Sequence, residues 1–123
     1  MAAKDVLGAR GERIAAAHLE RQGLRVLDRN WRGASGELDI VLRDPVTGEL
    51  VVAEVKTRAS VAYGHPFEAI TTTKLVRLRR LAGEWCAAHP AESGARPRVR
   101  IDAVAVIAPR DRPAVVEHLT GVF

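Results

Sequence analysis

Two short strings carry side chains that could do chemistry: Gly36-Glu37-Leu38-Asp39-Ile40-Val41 and Val52-Ala53-Glu54-Val55-Lys56. Both read as β-strands, yet each sets ionisable groups among aliphatic ones. Residues two apart in a strand share a face, so Glu54 and Lys56 point the same way. A magnesium ion takes hard oxygen ligands and keeps several waters, so two carboxylates suffice to hold it. Asp39 and Glu54 are the candidate pair, and the Val55 carbonyl would add a third oxygen if the strand bends there. Lys56 would stand beside the attacking water, orienting it or offsetting charge on a scissile phosphate. Metal-dependent cleavage of a phosphodiester is the chemistry this set suits. The alternative is a plain ion pair between Glu54 and Lys56 on a solvated face.

The geometry imposes a condition. If the two strings form a hairpin, Asp39 must lie opposite residue 52 or 54, because opposition to residue 53 would put the carboxylates on opposite faces. Glu12 adds to the set. It sits on the shoulder of a helix whose small residues Gly8, Gly11, Ala15 and Ala16 would let it approach a sheet closely. A carboxylate there could reach a second ion or the attacking water; otherwise it is a surface glutamate.

Helical spacing of Leu7, Gly11, Ile14, Ala15, His18, Leu19 and Gln22 predicts a first helix over Lys4 to Gln22, ended by Gly23. Leu24 to Asp28 reads as a short strand and Arg29 to Ser35 as a loop around Trp31 and Gly33. Gly36–Arg43 and Leu50–Arg58 are strands joined by the turn Asp44-Pro45-Val46-Thr47-Gly48-Glu49, with Pro early and Gly late. Within them, Glu37, Asp39 and Val41 share one face and Leu38, Ile40 and Leu42 the other. Ala59 to Ile70 is an irregular loop, in which His65 could approach a substrate. The hydroxyls of Thr71, Thr72 and Thr73 offer an N-cap for a helix running to about Ala88, with Leu75, Leu78, Leu81, Ala82 and Trp85 as its apolar stripe. His89 to Pro97 is a polar loop. Val99–Ala108 and Ala114–Leu119 are the last strands, separated by a turn over Pro109 to Pro113. The order α-β-β-β-α-β-β, with a hairpin in its middle, predicts an α/β fold with a central mixed sheet flanked by helices.

A length of 123 residues, with 47% hydrophobic and 28% charged residues, fits a single domain over 1–123. The longest apolar stretches are strand-sized, which speaks against a membrane span. No apolar signal region follows Met1, and the single cysteine, Cys86, suits a reducing compartment, so the cytoplasm is the expected location. That lone cysteine also excludes a zinc–cysteine site. The net charge of +4 permits nucleic acid as a partner without demanding it. Lys74, Arg77 and Arg80 on the second helix, Arg58 just after Lys56, and Arg32 ahead of the second strand are the candidate phosphate contacts. They would hold a backbone without reading sequence. Aromatic residues make up only 4% of the chain, which argues against a base-stacking platform and leaves Trp31 and Trp85 as packing residues. His18, on the apolar side of the first helix, reads as a core histidine, and Asp102 as the ion-pair partner of Arg100 on the same strand face.

These residues, in this order, resemble the YraN-like family of small bacterial proteins, which is assigned to the PD-(D/E)xK nuclease superfamily and is similar to archaeal Holliday junction resolvases. The resemblance runs from Gly8-x-x-Gly11-Glu12-x-x-Ala15 through Asn30-Trp31-Arg32, Gly36-Glu37-Leu38-Asp39-Ile40-Val41 and Glu54-Val55-Lys56-Thr57-Arg58 to Lys74 and Arg100-Ile101-Asp102-Ala103-Val104. It implies a restriction-endonuclease-like fold, with Asp39, Glu54 and Lys56 as the metal and catalytic set and Glu12 as an additional acid. Leu38 stands where the superfamily name has its proline. The implied activity is Mg²⁺- or Mn²⁺-dependent endonucleolytic cleavage of DNA, with branched or structured DNA as substrate and a homodimer as the working form. A nucleic-acid-binding module that is inactive, or that needs a partner to cut, is the alternative.

Overall fold

The computed structural model describes residues 3–123, and their elements follow the predicted order. Helix α1 spans Ala3–Arg21, and strands β1, β2 and β3 span Arg25–Gly33, Gly36–Arg43 and Leu50–Arg58. A single 3₁₀ turn over Pro66–Ala69 precedes α2 (Thr72–Ala88). The four-residue α3 (Pro90–Ser93), β4 (Val99–Ile107) and β5 (Val115–Leu119) follow. The strands form one sheet in the order β1-β2-β3-β4-β5, parallel between β3 and β4 and antiparallel elsewhere. A parallel pair needs a crossover, and α2 supplies it.

The sheet is covered on both faces, as aliphatic residues on both sides of β3 require. On one face α1 packs Ala15, Ala16 and Leu19 against Ile40, Leu42, Val51, Ala53, Val55, Val104 and Val106. On the other, α2 packs Leu78, Leu81, Ala82 and Trp85 against Val41, Leu50, Val52 and Ile101. Gly23, at φ +94°, ends α1 in the left-handed region, and the Thr71 hydroxyl caps α2 by accepting from the Lys74 N–H at 3.2 Å.

The short α3 falls inside the predicted loop His89 to Pro97, and four further details depart from expectation. First, β1 continues through the predicted loop: Arg29, Trp31, Arg32 and Gly33 all pair with β2. Asn30 and Gly33 look like turn punctuation, but the hairpin places its turn at the Gly33–Gly36 end instead. Second, Leu38 packs on the α2 side with Val41, while Ile40 and Leu42 pack on the α1 side. The expected alternation therefore breaks at Asp39, and Asn30, which falls opposite Asp39 between the pairs Arg29↔Ile40 and Trp31↔Leu38, has φ +53°. Third, His18 is only half-buried at the sheet's edge and bonds Gln22 at 3.0 Å, so it is not a core residue. Fourth, Gly8 meets nothing, whereas a Cβ on Gly11 would fall 1.8 Å from the Thr57 hydroxyl. The close approach of α1 to the sheet rests on Gly11.

Candidate active site

Strands β2 and β3 pair from Arg43↔Leu50 to Ile40↔Ala53. One further step of that register sets Asp39 against Glu54, which meets the condition read from the sequence. At this step the ladder gives way to a side chain: the Val55 N–H donates to Asp39 Oδ2 at 2.8 Å. The strands part there, and the carboxylates of Asp39 and Glu54 face each other closely in the gap. Burial, then the Glu54 carboxylate beside it, push the Asp39 pKa up to about 8, which favours its protonated form at neutral pH.

Glu54 is 6% exposed. Its Oε2 lies 3.0 Å from Lys74 Nζ and 4.0 Å from Lys56 Nζ. The simple pairing of Glu54 with Lys56 is thus the weaker contact, and the closer cation comes from α2. Burial lowers the Lys56 pKa and the neighbouring Lys74 ammonium lowers it further, against the pull of Glu54. Burial also acts to lower Lys74, but its surroundings, with the Glu54 carboxylate at 3.0 Å, outweigh that and hold it above the ordinary lysine value.

On the α1 side, Glu12, Glu37 and Asp39 bring ligand oxygens within 4.8 Å of one another, a spacing one cation can bridge. Burial raises the Glu12 pKa. With its nitrogen turned to these carboxylates, the Asn30 amide donates to Glu12 Oε1 at 2.9 Å and to Glu37 Oε1 at 3.1 Å. The left-handed backbone of Asn30, a conformation that asparagine tolerates better than most residues, belongs to this cluster. Glu37 and Asn30 were not singled out as site residues from the sequence. Glu37 shares the period-two signal of Asp39, whereas nothing local marks Asn30.

Two hollows flank the carboxylates and share Glu37, Val55 and Lys56. The α1-side hollow adds Glu12, Asn30 and Arg58, and the α2-side hollow adds Asp39, Glu54, Lys74 and Arg77. Arg58 is exposed at the end of β3, and Arg32 reaches the cluster through Glu37 at 3.3 Å. Arg80 lies with Arg77 along the exposed face of α2, outside both hollows. His65 is engaged elsewhere, capping the 3₁₀ turn through Phe67 N–H at 3.1 Å and pairing with Glu117 at 3.0 Å. Trp85 is buried and donates to Asp28 at 2.9 Å, as suits a packing residue.

At the other end of the sheet, Arg100 grips the buried Asp102 through two hydrogen bonds of 3.0 and 3.1 Å and reaches Asp44 at 2.9 Å. His118 bonds the same Asp102 at 2.7 Å. The ion pair read from the sequence is therefore the centre of a larger clasp that ties β4 to β5 and to the β2–β3 turn.

A helix-covered mixed sheet, two of whose strands part around facing carboxylates with lysines at hand, defines an α/β protein with an acidic cleft able to receive a cation. Among the described residues no helix is long and apolar enough to cross a membrane. The chain belongs to Uncharacterised protein family UPF0102, which matches residues 11–106 and is the YraN-like family that the sequence resembles. It is 57% identical over 122 residues to a UPF0102 protein of Beutenbergia cavernae, covering 99% of each chain. It is 56% identical over 121 residues to one of Kineococcus radiotolerans, covering 98% of this chain and 95% of that one. A UPF0102 protein of Frankia alni is 49% identical over 123 residues, covering 100% of this chain and 98% of its own.

Proposed function

We propose that this chain is a Mg²⁺- or Mn²⁺-dependent endonuclease that hydrolyses DNA phosphodiesters at the parting of β2 and β3. The observation that carries the reading is the register: Asp39 falls opposite Glu54, with Lys56 on the Glu54 face and Glu12 within reach of Asp39. The donor set is all oxygen, which fits magnesium or manganese rather than a metal that prefers thiolate or imidazole. Asp39 and Glu54 would hold the ion, with Glu12 and the Val55 carbonyl as further oxygens. Bound there, the ion would polarise the phosphoryl group and ease deprotonation of an attacking water.

The chain's own groups would do the rest. Lys56, mostly buried beside Glu54, would orient that water or offset charge on the phosphate. Arg58 and Arg77, one at each hollow, would hold the strand on either side of the cut, with Arg32, Arg80 and the free N–H groups at the start of α2 extending the track. Branched or structured DNA is the preferred substrate on this reading, and it rests on resemblance to the resolvases, as does a homodimer.

One observation favours a second reading. Glu54 is already engaged by Lys74 at 3.0 Å, as it would be in a module that binds nucleic acid without cutting it. Purified protein, with branched, duplex and single-stranded DNA, with and without Mg²⁺ or Mn²⁺, separates the two. The nuclease cuts only with metal and loses activity in Glu54→Ala and Lys56→Ala. Binding without cleavage, indifferent to Asp39→Ala, would establish the module instead.

A further inference from the structure

Glu54 lies among aliphatic neighbours on β3 and is almost wholly enclosed. A carboxylate so placed needs a counter-charge close by. Two ammonium groups approach the same oxygen from different elements: Lys74 of α2 at 3.0 Å and Lys56 of β3 at 4.0 Å. Either one could balance that oxygen. A divalent cation between Asp39 and Glu54 would meet the Lys74 ammonium at the carboxylate it already occupies. Two cations at one carboxylate repel each other strongly where water is largely excluded.

We infer that Lys74 is the resident counter-cation of Glu54, that a divalent cation displaces it, and that the released ammonium then meets a phosphate of the bound DNA. The inference rests on the nuclease reading of this site and deepens it. It makes Lys74 a positioning residue that ties occupancy of the metal site to capture of the substrate.

The placement suits such an exchange. The Lys74 backbone is fixed in the first turn of α2, its N–H held by the Thr71 hydroxyl at 3.2 Å. Its side chain is 20% exposed and lines the same hollow as Arg77. The four-carbon stem can therefore swing from Glu54 towards the mouth of the hollow without moving the helix. The destination already carries Arg77, whose guanidinium suits phosphate. Lys56 lies two residues along the same strand as Glu54, 4.0 Å from its Oε2, and lines both hollows, so it is the weaker competitor for that oxygen.

The test titrates Mn²⁺ into the full chain by calorimetry without nucleic acid. Lys74→Met keeps the stem and removes the charge, and should bind Mn²⁺ about tenfold more tightly than wild type or better. Lys74→Gln replaces it, with the same expectation, if the methionine variant does not fold. Lys74→Arg keeps a cation at Glu54 and should bind Mn²⁺ no more tightly than wild type. In parallel, anisotropy reads the affinity for a short duplex DNA with and without Ca²⁺. Wild type should gain affinity on adding Ca²⁺, and Lys74→Met should lose most of that gain. Wild type that binds Mn²⁺, with unchanged or weaker affinity in Lys74→Met, overturns the exchange and leaves the nuclease reading standing. An intact Ca²⁺-dependent gain in Lys74→Met overturns the transfer to phosphate. Wild type that binds no Mn²⁺ overturns both the inference and the reading beneath it.

Discussion

Asp39→Asn should stabilise the metal-free protein, and should do so more as the pH rises. Burial and the facing Glu54 raise the Asp39 pKa from 3.8 to about 8 in the folded state. Between those values the folded chain holds a proton that the unfolded chain has released. The sign follows from linkage: stability is fully present below the unfolded pKa and is lost as the pH climbs through the folded one. The loss runs at about 1.4 kcal/mol per pH unit, or roughly 2.7 kcal/mol between pH 5 and pH 7. Asparagine cannot ionise. Its oxygen can still accept the Val55 N–H that Asp39 accepts at 2.8 Å, and its amide offers a donor to the facing Glu54 carboxylate. The variant therefore keeps the Val55 bond and sheds the pH dependence. At about 3–5 °C per kcal/mol for a chain of this size, the melting-temperature gap between Asp39→Asn and wild type should widen by roughly 10 °C from pH 5 to pH 7. It should level off above about pH 8–9. The assay is thermal unfolding by circular dichroism in EDTA across that range. Parallel pH profiles for the two proteins would refute the shared proton, and with it the argument that Asp39 and Glu54 are pressed together.

Further outcomes follow from particular contacts. Mn²⁺ binding at pH 7 should release up to about one proton, because the raised Asp39 pKa favours the protonated carboxyl until a cation takes the proton's place; calorimetry in buffers of different ionisation enthalpy reads this, and zero release would contradict it. Gly11→Ala should destabilise the protein by at least about 2 kcal/mol, because its methyl would overlap Thr57, and Thr57→Ala should recover part of the loss. Gly8→Ala, facing open space in the same helix, should instead stabilise by about 0.5–1 kcal/mol, so chemical denaturation of the two variants tests whether Gly11 alone sets the approach of α1. Arg100→Met should cost about 3–5 kcal/mol, since it strips the buried Asp102 of its main partner. Burial acts to raise the Asp102 pKa, but hydrogen bonds from His118, Arg100 and the Gly121 N–H win and hold it below the ordinary value. Its stabilisation is therefore present above about pH 4 and lost as the pH falls through the depressed value, and acid unfolding of Arg100→Met should begin at a higher pH than in wild type.

What could be read from the sequence was whatever period and punctuation encode. Glu54-x-Lys56 and Glu37-x-Asp39 lie on strands, and the period of two, with a turn closed by Gly48, left few registers. The one that lets Asp39 face Glu54 is the one observed. The Thr71 cap and the α2 stripe were legible for the same reason, because local spacing and local chemistry decide them. The extent of β1 was not legible. Asn30 and Gly33 imitate a loop, and only pairing with β2 reveals that Trp31 and Arg32 are strand residues.

The less legible half of the site is its long-range half. Lys74 is twenty residues from Glu54 in sequence, and its ammonium reaches that carboxylate only because α2 crosses back over the sheet. Asn30 reaches Glu12 because β1 adopts a positive φ that no neighbouring residue announces. Both contacts act on groups the strand pattern had already marked, and they change what those groups can do. Without Lys74, Glu54 would be a carboxylate balanced by its strand neighbour alone. With Lys74 at 3.0 Å, that carboxylate already holds a cation, and on the proposed reading any affinity for metal and any hold on phosphate would be coupled through it. Strand periodicity can nominate such ligands, but the charge that competes for them comes from a helix laid across the sheet by the fold.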